Sequence, residues 1–244
     1  MKQLTLNLIF SLLSLVINST KNINAQIACL NSGLENGDYT NWSGLIGHYS
    51  GANLFGFNNI NSGLYLFPIS LGSTPRISII TPGLDPKVPI QKVYSGNYAI
   101  KIGMENVGNK EAERIVYDLL VDNNNKKFKY NYAVVLEEPN HSRRRNPFFW
   151  ARILYNGSVI CQTGRKSSGT GDPFFKDYAG FQYRNWDCVS CDLSNYVGRI
   201  VQVEFTVAGC AQGGHSGYAY IDGLCDIDPI NLDFNLNKDT YCLG

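Results

Sequence analysis

Two acidic residues stand in comparable settings at opposite ends of this chain. Glu35 lies in Cys29-Leu-Asn-Ser-Gly-Leu-Glu-Asn-Gly-Asp-Tyr-Thr-Asn-Trp42, and Asp222 in Gly213-Gly-His-Ser-Gly-Tyr-Ala-Tyr-Ile-Asp-Gly-Leu-Cys225. Both contexts read as strand-like, and each segment carries a cysteine. If the first and last strands lie side by side, the carboxylates meet, and they mark a domain closure rather than an active site. Two carboxylates brought together repel and raise one pKa unless a cation joins them. Calcium suits such a place, because it takes hard oxygen ligands and mixes carboxylates with backbone carbonyls in turns. Gly33, Asn36 and Gly37 would let the backbone turn its carbonyls inward. The structural alternative is a pair of acids hydrogen-bonded to nearby turns.

The cysteines offer a second chemistry. Cys188-Val-Ser-Cys191 has the spacing of a zinc or redox motif. A zinc ribbon needs a second close pair, and Cys210 and Cys225 are too far apart in sequence to supply one. A thioredoxin-like site needs a βαβ setting, which the sequence lacks. Disulfides remain. With Cys242 set aside, Cys29, Cys161, Cys188, Cys191, Cys210 and Cys225 can form three bridges, whose connectivity the sequence leaves open.

Other polar groups point to binding more than to catalysis. Arg143-Arg144-Arg145 could hold an anionic glycan or a phosphate, set against the plainer reading of a solvated loop. His215 has neither a G-x-S-x-G elbow nor an H-E-x-x-H motif beside it, so it reads as a loop histidine hydrogen-bonded to its hairpin. Glu137 and Glu138 are adjacent on a strand and point to opposite faces, a poor catalytic pair. Gly164–Gly171 superficially matches a phosphate loop but lacks the Gly-Lys-Ser/Thr ending. Trp42, Trp150 and Trp186 sit in apolar runs and are expected in the core. Tyr178, Tyr183 and Phe181, with the loop residues Phe174 and Phe175, are the candidates for exposed sugar-stacking rings. Tyr218 and Tyr220 alternate with Ala219 and Ile221, which leaves one tyrosine-bearing face for solvent.

The elements that must position these groups are strands. Period-2 and β-branched runs predict them over 63–69, 76–80, 98–102, 112–120, 128–137, 148–155, 183–189, 200–207 and 217–224. The segment 111–121 could be a helix, but Ile115-Val-Tyr before Asp118-Leu-Leu-Val favours a pleated strand. Asn156-Gly157 between two apolar runs predicts a hairpin. Three stretches read as loops, the usual place for binding on a rigid sandwich: proline-rich 81–89, arginine-bearing 139–147 and 163–176. Residues 1–26 read as a signal peptide, with Lys2 followed by an apolar run too short to span a bilayer. Lipid attachment at Cys29 fits less well than simple export, since Gln26 is a poor residue before an acylated cysteine. Export makes seven cysteines legible as disulfides. With 21 basic and 20 acidic residues, no electrostatic case exists for nucleic acid, and no second apolar segment could anchor the chain in a membrane. Length and composition, with 24 glycines and 15 tyrosines, suit one large all-β domain over 27–225. After Cys225, Pro229 and polar residues read as a linker, and Asp239-Thr-Tyr-Cys-Leu-Gly244 resembles the opening of an immunoglobulin-like or PKD-like domain. The expectation is a chain cut from a longer multidomain protein, with Cys242 as a stub.

Taken in order, several segments resemble a known module. They are Asn31-Ser-Gly-Leu-Glu35 with Gly37, Asp38 and Trp42, then Ser95-Gly-Asn-Tyr-Ala-Ile-Lys-Ile-Gly103, then Phe128–Pro139 and Pro147-Phe-Phe. Tyr183, Trp186, Asp192-Leu-Ser-Asn-Tyr-Val-Gly198, Val203-Glu-Phe-Thr and the Cys210–Cys225 stretch complete the set. Together they resemble a secreted jelly-roll module of Bacteroidetes-type surface proteins, related in layout to galactose-binding-like carbohydrate-binding modules and MAM adhesion domains. The resemblance spans most of residues 29–225; Leu34 replaces the usual aromatic, and Cys191 a usual apolar residue. It implies an all-β jelly-roll β-sandwich of two antiparallel sheets, disulfide-stapled. It further implies a structural Ca2+ held by Glu35 and Asp222, with Asn31 and Asp38 as further candidates. Cys29–Cys225 is the preferred bridge, since first and last strands should be neighbours. The implied function is a secreted or cell-surface, non-catalytic adhesion module that recognises a glycan or a surface protein, with no membrane insertion after signal cleavage. Tyr178, Tyr183, Arg143, Arg144 and Arg145 are its candidate ligand residues. Two alternatives stay open: an accessory domain of a secreted polysaccharide hydrolase, and a ligand-free spacer in a surface filament.

Overall fold

A computed structural model describes residues 29–51, 63–106, 108–164, 166–169 and 171–225. The expected signal peptide, the linker and Cys242 lie outside these residues. Among the described residues thirteen strands follow one another. They are β1 Trp42–Tyr49, β2 Leu64–Ile69, β3 Ile77–Ile80, β4 Ala99–Met104, β5 Glu111–Leu120, β6 Lys127–Glu137 and β7 Phe148–Tyr155, then β8 Ser158–Gln162, β9 Lys166–Ser167, β10 Lys176–Tyr178, β11 Phe181–Asp192, β12 Ile200–Ala208 and β13 Gly217–Asp222. A 3₁₀ turn covers Ser194–Tyr196. The first sheet has the order β2-β1-β5-β12-β7-β8, with β9 also on β7; the second runs β10-β11-β6-β13-β4-β3. All pairings are antiparallel. The molecule is the expected jelly-roll β-sandwich.

Alternation decides which side chains enter the core. Ile115, Tyr117 and Leu119 of β5, Val201, Val203, Phe205 and Val207 of β12, and Phe149, Ala151 and Ile153 of β7 face inward. Across the gap stand Phe128, Tyr130, Tyr132, Val134 and Leu136 of β6 with Ala219 and Ile221 of β13. Aromatic contacts bridge the sheets, with Tyr130 against Phe205 at 5.1 Å and Tyr132 stacked on Phe149 at 4.9 Å. Each such ring buries a large apolar surface, so this layer dominates the folding energy. The segment 111–121 is a strand, as its β-branched residues require.

Several expectations change. The first and last strands are not neighbours: β1 lies in the first sheet and β13 in the second. The strand after the opening segment begins at Trp42, so Glu35 sits in a run of turns rather than in a strand. β1 escapes a propensity reading because it contains Gly44 and Gly47. Gly47 is needed there, since a Cβ would fall 1.8 Å from the Tyr65 carbonyl oxygen of β2. The loop expected over 163–176 contains β9 and the first residue of β10. The proline-rich loop does not stand free. It folds over the outer face of the second sheet, where Val88 and Ile90 pack on Ala133, Val135, Tyr218 and Tyr220. Tyr218 and Tyr220 are therefore fully buried rather than solvated, and both hydroxyls donate to Asp85, at 3.0 and 2.7 Å. Trp42 and Trp150 are buried as expected, but Trp186 is only half-buried, with its Nε1 donating to the Gln91 carbonyl.

Two disulfides link Cys29 to Cys225, the preferred pair, and Cys161 to Cys191. Cys188 is also disulfide-bonded. Cys210, expected in a bridge, is instead a free and buried thiol.

Candidate functional site

The outer face of the first sheet carries a polar lattice. With the odd residues of β5, β7 and β12 turned to the core, the even ones face outward. The strand registers place Arg114, Thr206 and Trp150 on one rung, then Val116, Glu204, Arg152 and Gln162 on the next. Asp118, Gln202 and Leu154 form a third rung. Arg114 Nε donates to Thr206 Oγ1 at 2.8 Å, and Arg152 Nε donates to Glu204 Oε2 at 2.7 Å. Arg114 also approaches that same oxygen, at 3.6 Å. Trp150 Nε1 donates to Gln162 Oε1 at 3.2 Å.

Two guanidiniums thus share one carboxylate in the middle of a sheet face. The row is recessed: the Arg152 and Glu204 side chains are 8% and 10% exposed. Burial pushes the Arg114 pKa down, and Glu204 opposes that shift. Among the described residues the Nη donors of Arg152 meet no acceptor, while its Nε is fixed on Glu204. A guanidinium held by one edge presents a planar fork from the other, suited to paired oxygen acceptors. With the exposed Gln162 amide beside it, the face carries the few placed polar groups of a small-molecule site.

Sequence reasoning missed these residues, because charged residues within strands ordinarily mean a solvated face. The signal lay in their repetition. Arg114, Arg152 and Glu204 each interrupt an apolar strand at an outward position, on three adjacent strands. The sequence also missed the most exposed rings among the described residues, Tyr65 and Phe67 of β2, at 53% and 64%. Tyr65 stacks on His48 at 4.8 Å.

The residues that were expected to bind are dispersed. Tyr178 and Tyr183 stand on the β10–β11 edge hairpin of the second sheet, with rings 6.4 Å apart. Tyr178 is exposed and Tyr183 half-buried. Phe174 and Phe175 pack against the main core. Arg143, Arg144 and Arg145 lie in the β6–β7 loop, where the Arg144 carbonyl accepts from the buried Tyr49 hydroxyl of the first sheet. Arg143 and Arg145 are exposed.

Glu35 and Asp222 do converge, through an intermediary. Asp222 Oδ2 accepts the backbone N–H groups of Tyr94 and Ser95, each at 2.9 Å. Glu35 accepts the N–H groups of Asn97 and Tyr98 and the Asn97 side-chain amide. Both carboxylates therefore clasp the turn 94–98. Burial raises the Asp222 pKa to about 6 despite these N–H donors, and the charge of Glu35 adds to the rise. Asn31 and Asp38 bond to each other, Nδ2 to Oδ1 at 2.9 Å, and close the opening turns. Calcium takes roughly six to eight oxygens. The two carboxylates supply hard oxygens, and an ion there would compete with the N–H groups of the turn for them.

No protein-family profile matches this chain, and no curated protein matches it. Among solved structures it is similar to the TmCBM61 complex with β-1,4-galactotriose, at 8% identity and a TM-score of 0.37, covering 81% of this chain and 94% of that one. It is similar to the Caldicellulosiruptor saccharolyticus CBM27-1 complex with mannohexaose, at 12% identity and a TM-score of 0.35, covering 62% and 81%. A cyclase from Fischerella sp. TAU shows 11% identity and a TM-score of 0.36 over 75% and 84%.

Proposed function

We propose that this protein is a non-catalytic glycan-binding module working outside the cell, and that it binds along the outer face of the first sheet. The observation that carries the proposal is the Arg114–Glu204–Arg152 row, with the Arg152 fork held by one edge and, among the described residues, without an acceptor at the other. Sugars present vicinal hydroxyls, which a guanidinium and an amide such as Gln162 bind as paired groups. Disulfides fit an oxidising compartment, and among the described residues no helix is long and apolar enough to cross a membrane.

The test is a glycan array followed by titration with the best glycan. Arg152→Lys keeps a cation beside Glu204 but removes the planar fork. It should weaken binding by about tenfold or more, in line with the ~1.5–3 kcal/mol of a charge-assisted hydrogen bond. Tyr178→Ala should bind as the parent does. Absence of any glycan ligand, or full binding by Arg152→Lys, would overturn the assignment.

Calcium at Glu35 and Asp222 is a second, structural proposal. Its support is the convergence of two carboxylates on one turn and the proton affinity of Asp222, which a cation would relieve.

A further inference from the structure

The end of the sandwich away from the disulfides holds a cluster of different chemistry. His141 comes from the β6–β7 loop, and Cys210 and His215 from the turn between β12 and β13. One ligand atom from each of the three residues lies within 4.8 Å of the others. His141 Nδ1 is 3.2 Å from Cys210 Sγ, and the two imidazoles meet edge to face with centroids 5.4 Å apart. We propose that His141, Cys210 and His215 form a metal site for an ion of the zinc class.

The backbone builds the site. Cys210 N–H donates to the His215 carbonyl at 3.0 Å, and Gly213 N–H to the Cys210 carbonyl at 2.9 Å, so the turn holds both residues in a fixed relation. Gly213 and Gly214 take positive φ, 80° and 85°, which lets the chain reverse in so few residues. Ala211 N–H donates to the Arg145 carbonyl at 2.8 Å, which draws the His141 loop against this turn. Gln212 N–H points at Cys210 Sγ at 3.3 Å, a donor that stabilises a thiolate and fixes its direction. His215 Nδ1 is buried with no hydrogen-bond partner among the described residues. The ring was expected to hydrogen-bond its hairpin; the backbone carbonyl does so instead.

One thiolate and two imidazoles select zinc and its neighbours over calcium or magnesium, which take oxygen. Three protein ligands leave a fourth, tetrahedral position for water or a ligand group. On binding, Cys210 gives its thiol proton to solvent and the sulfur lone pair goes to the ion, with no change of oxidation state. Cys210 is also the free thiol among the described cysteines of a chain whose other described cysteines are disulfide-bonded, and coordination would keep it reduced.

Cobalt(II) is the optical probe for such a site. The whole chain, with its disulfides formed, should take up a single cobalt ion with a thiolate-to-cobalt charge-transfer band and the intense visible bands of four-coordination. Zinc should bleach both. Cys210→Ser should lose the charge-transfer band, while His141→Gln and His215→Gln keep it but bind at least ~10-fold more weakly. The proposal fails if the parent shows no such band at saturating cobalt, if Cys210→Ser retains it, or if both histidine variants bind as the parent does. Should Cys210→Ser not fold, the parent titration and the histidine variants still decide.

Discussion

Asp222 shows how one buried carboxylate couples stability to acidity. Its pKa rises from the ordinary 3.8 to about 6, with burial the main cause. The folded chain therefore holds the proton more tightly than the unfolded chain does. Its contribution is greatest below about pH 4 and is lost as pH rises through about 6, a change of about 3 kcal/mol at ~1.4 kcal/mol per pKa unit. Melts across this range should show stability falling with pH through this group, and Asp222→Asn should flatten that segment of the profile. Saturating calcium above pH 6 should raise the Tm of the parent and not of Asp222→Asn. No shift with calcium would leave the amides of Tyr94 and Ser95 as the partners of this side chain and remove the ion.

The turn 94–98 is the element that depends on both acids. Gly96 has φ +69°, and a Cβ there would lie 2.3 Å from Glu35 Oε1. Gly96→Ala should destabilise the fold by about 1–2 kcal/mol, through backbone strain and the release of Glu35 from its N–H donors. The same substitution in a Glu35→Ala background should cost less, since the collision is gone; equal costs in denaturant titrations would show the two residues to be uncoupled. At this scale the sequence is readable in part. β5, β7 and β12 are legible because alternation and β-branching agree over eight or more residues. β1 is not, because Gly47 is there for a neighbouring backbone rather than for its own propensity. Glu35 and Asp222 could be singled out as a pair. Their partners could not, since backbone N–H groups leave no mark in a sequence. The Arg114–Glu204–Arg152 row and the His141–Cys210–His215 cluster each gather residues from distant strands or loops, and only the sheet order brings them together.

In the whole molecule, covalent links and loops divide the work of closure. Cys191 lies opposite Phe128 near the start of β6, and Asp222 opposite Asn131, so both located disulfides sit toward one end. Gly217 pairs with Leu136 near the other end of β6, where the histidine–cysteine cluster stands. Cys29 and Cys225 are 196 residues apart, against 30 for Cys161 and Cys191. By loop entropy alone, removing the first bridge should cost about 5 kcal/mol and the second about 4 kcal/mol. Paired Cys→Ser variants, compared by denaturant midpoint, should rank in that order; the reverse would point to structure retained in the reduced, unfolded chain.

The Cys29–Cys225 bond also has a mechanical meaning. It joins the turn that leads into β1, in one sheet, to the residues that leave β13, in the other. A force that pulls Cys29 and Cys225 apart passes straight across this sulfur bridge. The strand ladders between them carry none of the load. Pulled at these two points, the domain would stay folded and extend by almost nothing, and its sheet face would keep its shape.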